Sequence, residues 1–123
     1  GWLGKPKFEG GTVSDYPTVA EMNHTARSRV ATDRPARYAK QLVSHMGNKL
    51  PVEEIEGGHR LTFNRDGVFS GYGDVLVQDG VPQVVMVVHA PSAESCTRVS
   101  DVLARHLERF GERDELKVEF LAA

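Results

Sequence analysis

Two histidines in this sequence fall where helical periodicity sets side chains against an apolar surface. His106 shares the spacing of Val99, Val102, Leu103 and Phe110, so its imidazole belongs on the inner side of a helix. Such a histidine either satisfies one hydrogen bond in a core or acts as a ligand or acid–base group in a pocket between helix and sheet. With no partner beside it in sequence, packing is the simpler account. His45 stands in the last turn of another helical stretch, where the helix dipole favours a cation and capping alone explains it. The two imidazoles would meet if their helices pack in parallel and diverge if antiparallel. A meeting would suit a metal, but no carboxylate or thiolate stands at ligand spacing, so no metal or cofactor is assigned. His59 and His89 fall at strand ends and read as surface residues.

A second group is basic. Between Ala26 and Leu50 stand Arg27, Arg29, Arg34, Arg37, Lys40 and Lys49 against one acid, Asp33. Arg34, Arg37, Lys40 and Gln41 share the polar side of a helix or its flanks, which suits a phosphate or carboxylate. A solvated face balanced by Glu53, Glu54 and Glu56 is the plainer account. A formal net charge of −2 and the lack of a stacking platform argue against nucleic acid. Cys96 aligns with Val99 and Leu103 and reads as core packing rather than an activated thiol. No nucleophile can be matched to a histidine and an acid, and Gly71-Tyr72-Gly73 lacks the strand–turn–helix setting of a phosphate loop. No catalytic residue is assigned.

These residues need elements to hold them. Arg27 to Ala31 reads as a strand. Thr32-Asp33 offers a helix N-cap and Pro35 suits a first turn, so a helix runs from about Arg34 to Met46 on the apolar spacing of Tyr38, Ala39, Leu42, Val43 and Met46, with Gly47 closing it in the left-handed region. Strands follow over Leu50–Glu56, Arg60–Asn64, about Tyr72–Gln78 and Gln83–Ala90, with turns at Gly57-Gly58, Arg65-Asp66-Gly67 and a two-residue hairpin at Asp79-Gly80. Ser92 caps a second helix, whose solvent side carries the pairs Glu94/Arg98 and Asp101/Arg105, and Gly111 ends it. Leu116, Val118 and Phe120 alternate with polar residues as a last strand. The order β-α-β-β-β-β-α-β, with short links, predicts an α+β two-layer sandwich: a mainly antiparallel sheet with both helices on one face.

One hairpin breaks the alternation that such a sheet requires. Val84-Val85-Met86-Val87-Val88 and Val75-Leu76-Val77 are apolar on both faces, whereas a sheet covered on one side alternates. Leu76, Val85 and Val87, or the residues of opposite parity, therefore ask for a second cover. A partner subunit is the first choice; a folded-back leader or an apolar ligand are the others.

The chain has 123 residues, room for one domain. Its single cysteine permits no internal disulfide, which fits a reducing compartment, and no apolar run approaches the roughly 20 residues that cross a bilayer. Residues 1–25 show no period and carry Gly1, Gly4, Gly10, Gly11, Pro6 and Pro17; they read as a flexible leader, native or added, in which Trp2 and Phe8 are able to dock. A native start at Met22 and one upstream are equally compatible with the sequence. Residues 26–123 form the domain.

The segment from Arg29 to Gly47 with Lys49, the stretch Gly58 to Phe63, and His106 to Phe110 followed by Arg113-Asp114-Glu115-Leu116 together resemble a bacterial family known as domain of unknown function 2218. The resemblance spans about residues 26–120. It implies a small domain found alone or with siderophore-interacting flavin reductases, and no established reaction. Arg37, Tyr38, His45, Lys49, His106, Arg109 and Phe110 match the family's pattern. The Gly-containing stretch from Asp66 to Gly73 is longer than the turn the family implies.

Two functions follow as expectations. The first is a cytoplasmic accessory or interaction domain, not an enzyme, that self-associates through Leu76, Val85 and Val87 and meets no nucleic acid or membrane. The alternative is a binder of a small anion or iron chelate, or a weak enzyme of iron metabolism, with Arg37, Tyr38, His45, Lys49 and His106 lining its pocket.

Overall fold

Residues 16–123 are described by a computed structural model, and within them the two periodicities sort the chain into strands and helices. The elements are β1 (His24–Ala31), α1 (Pro35–Met46), β2 (Val52–Ile55), β3 (Gly58–Phe63), β4 (Gly71–Leu76), β5 (Gln83–Ala90), α2 (Ala93–Phe110) and β6 (Leu121–Ala122). The strands form one antiparallel sheet in the order β2-β3-β4-β5-β1-β6. Both helices cover one face of it, in the expected two-layer α+β arrangement. No described helix is long and apolar enough to cross a membrane.

The even positions of β5 (Val84, Met86, Val88, Ala90) face the helices, with Ala26 and Val30 of β1, Leu61 and Phe63 of β3 and Val75 of β4. They pack against Leu42 and Met46 of α1 and Val99, Leu103 and Leu107 of α2. Each of the Val, Leu, Met and Phe side chains contributes roughly 1.5–3 kcal/mol by leaving water. α2 lies directly on β4 because Gly73 has no side chain: a Cβ there would sit 2.9 Å from Leu103 Cδ1 and 3.0 Å from Phe63 Cε1. The Cys96 thiol is buried in this layer, and burial pushes its pKa up while Ser100 works the other way; it is a packing group.

Each helix folds back along the strand that precedes it, and β1 and β5 are antiparallel, so α1 and α2 run in opposite senses. Contacts along α1 confirm the direction. Tyr38, in its first turns, donates its hydroxyl hydrogen to Asp114 beyond the end of α2, while His45, near its end, reaches back to His106.

Several local expectations are corrected. Residues 16–25 are part of the fold: Tyr16 stacks on Phe69, the Tyr72 hydroxyl donates to the Pro17 carbonyl, Val19–Glu21 form a 3-10 turn, and β1 begins at His24. The leader expected over residues 1–15, with Trp2 and Phe8, lies outside the described residues. α1 begins at Pro35 without a side-chain cap; the Thr32 hydroxyl accepts from the Arg34 N–H instead. Gly47 is right-handed, at φ −65°. The turn at Asp79-Gly80 forms, with Val81 N–H donating to the Gln78 carbonyl, but the β4–β5 ladder stops at the pair Leu76 and Val85, so the connection is a loop rather than a two-residue hairpin. The last strand is displaced. The Val118 N–H donates to Glu108 of α2, so 116–120 runs along the helix with Leu116 buried, and pairing with β1 is confined to Leu121 and Ala122.

The helix-free face carries Arg60, Tyr72, Asp74, Leu76, Val85, Val87, His89, Arg27 and Arg29, as the register requires. Leu76, Val85 and Val87 thus lie opposite the helices. Leu76 and Val85 pair directly and are partly exposed, but Val87 is already buried within the chain. Asp74 interrupts the apolar run, and around it stands a buried charge cluster. Arg60 donates from Nε at 2.7 Å and from its terminal nitrogen at 2.9 Å to the two carboxylate oxygens. His89 Nε2 lies 3.2 Å from Oδ2, and since a carboxylate only accepts, that nitrogen donates. The Arg60 guanidinium also lies 5.9 Å from the Tyr72 ring centroid, within cation–π range. His89 is therefore a paired residue and not the surface histidine that its strand-end position suggests.

Candidate functional site

α1 ends over the middle of the sheet, and the chain turns there through Lys49 and Leu50. α2 passes the same point with Arg98, Val99, Val102 and His106 on the facing side. The β3–β4 connection closes the third side with Arg65, Asp66, Val68 and Ser70. Together they enclose a cleft of about 410 Å³ whose floor includes Met46 and Phe63. Asp66 and Gly67 sit in the left-handed region, at φ 59° and 75°, which kinks this connection between two successive turns closed by Gly67 N–H on the Asn64 carbonyl and Val68 N–H on the Arg65 carbonyl.

The two histidines meet at the wall of this cleft although the helices are antiparallel. α2 extends four residues past His106, so His106 lies beside the end of α1 rather than at the far end of the layer. The ring centroids are 5.2 Å apart with the planes inclined by 40°, and the Phe110 and His45 rings meet edge to face with centroids 5.3 Å apart. The His106 ring is oriented by its own helix: Nδ1 is 2.7 Å from the Val102 carbonyl oxygen. A carbonyl only accepts, so Nδ1 carries the proton and Nε2 keeps the lone pair in the neutral ring.

Lys49, Arg65 and Arg98 against Asp66 leave the cleft two positive charges in excess (three basic, one acidic). Among the described residues the ion pairs are those of Asp74 with Arg60 and His89, so none of the three cations of the cleft is in an ion pair. The expected helical pairs Glu94/Arg98 and Asp101/Arg105 do not form; Arg98 turns to the cleft instead.

Of the residues singled out in sequence, His45, Lys49 and His106 share this cleft. Arg37 does not reach it. It lies on an adjoining groove with Lys40, Gln41, Ser44, Asn48 and Phe110, joined to the cleft through His45. Tyr38 reaches neither, being buried against the core with its hydroxyl on Asp114. That hydrogen bond, then burial, raises its pKa. The basic run from Arg27 to Lys49 is likewise divided, with Arg27 and Arg29 on the helix-free face. Sequence reasoning missed Arg65, Asp66 and Arg98. The unusual length of the β3–β4 connection was the available signal for the first two.

Fold and cleft define a two-layer α+β domain with a basic, imidazole-walled pocket between its helical layer and one connection of the sheet. The chain belongs to the family described as "Uncharacterized protein conserved in bacteria (DUF2218)", whose model matches residues 27–120. Among solved structures it is similar to the NMR structure of PA4090 from Pseudomonas aeruginosa, with a TM-score of 0.63 and 24% identity over 80% of this chain and 96% of that one; this is a likeness of fold. No curated protein matches the chain.

Proposed function

We infer that this domain binds a small anionic molecule with an apolar body in the cleft between α1, α2 and the β3–β4 connection. The observation that carries this reading is the set of unpaired cations, Lys49, Arg65 and Arg98, around an apolar floor of Met46, Phe63 and Val99. Cations with no ion-pair partner among the described residues, grouped in one cleft, are the chemistry of carboxylate or phosphate capture. Titration calorimetry with citrate and with benzoate tests it. Binding of either, weakened about tenfold or more by Arg98→Glu and unchanged by Arg29→Glu on the other face of the sheet, supports the reading. Binding indifferent to Arg98→Glu and Lys49→Glu, or absent at millimolar ligand, overturns it.

A second reading, self-association through the helix-free face, is favoured by the direct pairing of the partly exposed Leu76 and Val85. That face is acidic at its β2 edge (Glu53) and basic along β1 (Arg27, Arg29). A two-fold axis parallel to the strands sets one edge of a copy near the opposite edge of its partner. Light scattering at increasing concentration tests it, with Val85→Lys expected to give a monomer. Partnership with a siderophore-interacting flavin reductase is proposed from the family resemblance, and a cytoplasmic location from the single cysteine.

A further inference from the structure

The cleft combines two features that conflict for most ligands. Two imidazoles stand at a separation suited to one metal ion. With nitrogens about 2.0–2.1 Å from a shared ion, ring centroids are roughly 4.5–5 Å apart between the right-angled positions of a chelate and a tetrahedral angle, and the rings of His45 and His106 are 5.2 Å apart. The His106 ring is held by its Nδ1–H on the Val102 carbonyl, the second-sphere contact that fixes the tautomer and basicity of a metal-binding imidazole. Yet the remaining wall is net positive, with Lys49, Arg65 and Arg98 against Asp66, and that excess disfavours a bare dication. Among the described residues no third histidine, cysteine or carboxylate stands close enough to complete a site.

Both features are satisfied by one kind of ligand. The geometry points to a first-row transition metal held as an anionic chelate, whose chelator occupies most of the coordination sphere while His45 and His106 fill two open positions. The chelator's carboxylates then face Lys49, Arg65 and Arg98, and the imidazole nitrogens face the metal. The inference rests on the anion-binding reading above and narrows its ligand from any small anion to a metal complex with two exchangeable positions. Imidazole is a good ligand for nickel, copper, zinc and iron alike, so the class is set by charge and open positions rather than by the element.

Soluble nickel(II) nitrilotriacetate is a direct probe, since the complex is anionic and keeps two positions for added ligands. Untagged protein is titrated with it while the nickel absorption spectrum is followed, and parallel calorimetry uses metal-free citrate. The expected result is a spectral shift with one complex per chain, and affinity lower by about tenfold or more in each of His45→Phe and His106→Phe. Both substitutions keep the ring volume, and circular dichroism checks the fold. Citrate binding should survive both and weaken in Arg98→Glu. If citrate binds but nickel nitrilotriacetate leaves the spectrum unmoved, or binds equally to His106→Phe, the metal inference fails and the anion site stands. If neither ligand binds, both readings fall.

Discussion

Replacing Asp74 by Asn tests whether the helix-free face is organised around the charge cluster. Asp74 is 5% exposed and accepts both donors of the Arg60 fork as well as the His89 Nε2–H. Asn keeps the volume and one acceptor but removes the charge, leaving the guanidinium without a counterion. Breaking a fully buried pair from one side costs about 3–5 kcal/mol. The Arg60 side chain is still 23% exposed and water relieves part of that, so about 2–3 kcal/mol is expected. Urea unfolding at pH 7 should show the midpoint fall with an unchanged slope. The double variant Arg60→Met/Asp74→Leu should recover most of the loss, because the desolvation of both charges is removed together.

The pH dependence of that loss is a second readout. Burial acts to raise the Asp74 pKa, but the hydrogen bonds and charges of Arg60 and His89 outweigh it and hold the group below the ordinary carboxylate range. A carboxyl with a depressed folded pKa contributes stability that is complete above the unfolded value, near 3.9, and is lost as pH falls through the folded one. The gap between wild type and Asp74→Asn should therefore be constant above about pH 5 and close progressively below about pH 4. A gap under about 0.5 kcal/mol at pH 7, or one that widens on acidification, would mean that the Asp74 carboxylate does not stabilise this face.

Two further substitutions separate structural from ligand roles. Tyr38→Phe removes the hydrogen bond to Asp114 and should cost about 1 kcal/mol in urea unfolding while leaving citrate binding unchanged; absorbance titration of the wild type should show the Tyr38 phenolate forming above the ordinary tyrosine range, and Asp114→Asn should bring it down. Gly73→Val forces a branched side chain against Leu103 and Phe63 and should destabilise by about 1–3 kcal/mol, read as a lowered thermal midpoint.

The layered fold was legible because it depends on periodicity alone. The helical spacing of Leu42 and Met46, and of Val99, Leu103 and Leu107, fixes which sides meet the sheet, and the alternation in β3 fixes its inner face. The hairpin of β4 and β5 was legible only in part. Its double apolar character did not say which parity faces the helices; the register sets Leu76, Val85 and Val87 opposite them, and the cover already given to Val87 depends on neighbours across the sheet that a linear reading does not supply. The Arg60–Asp74–His89 cluster was invisible for the same reason. Asp74 and His89 are 15 positions apart, and only the register of β4 on β5 brings them together. Caps and edges failed where a side chain took a backbone group first, as Thr32 does for Arg34 and Glu108 for Val118.

The histidine pair shows how an expectation about direction can be overturned by length. Two residues near the C-terminal ends of antiparallel helices should part company, and they do so when the helices are equally long and fully overlapped. Here α1 has 12 residues and α2 has 18. The end of α1 is therefore set against the interior of α2, one turn before its own end, and Phe110 continues past the pair to flank His45. The same offset leaves the stretch of α2 bearing Arg98 and Val102 projecting beyond the last turn of α1, with no helix beside it. The long β3–β4 connection fills that side, and the space left between them is the cleft. Helix lengths, the antiparallel pairing of β1 with β5 and the extra residues between β3 and β4 are thus three parts of one arrangement. Shortening the connection should open the pocket to solvent without separating the two imidazoles, which are held by the helices alone.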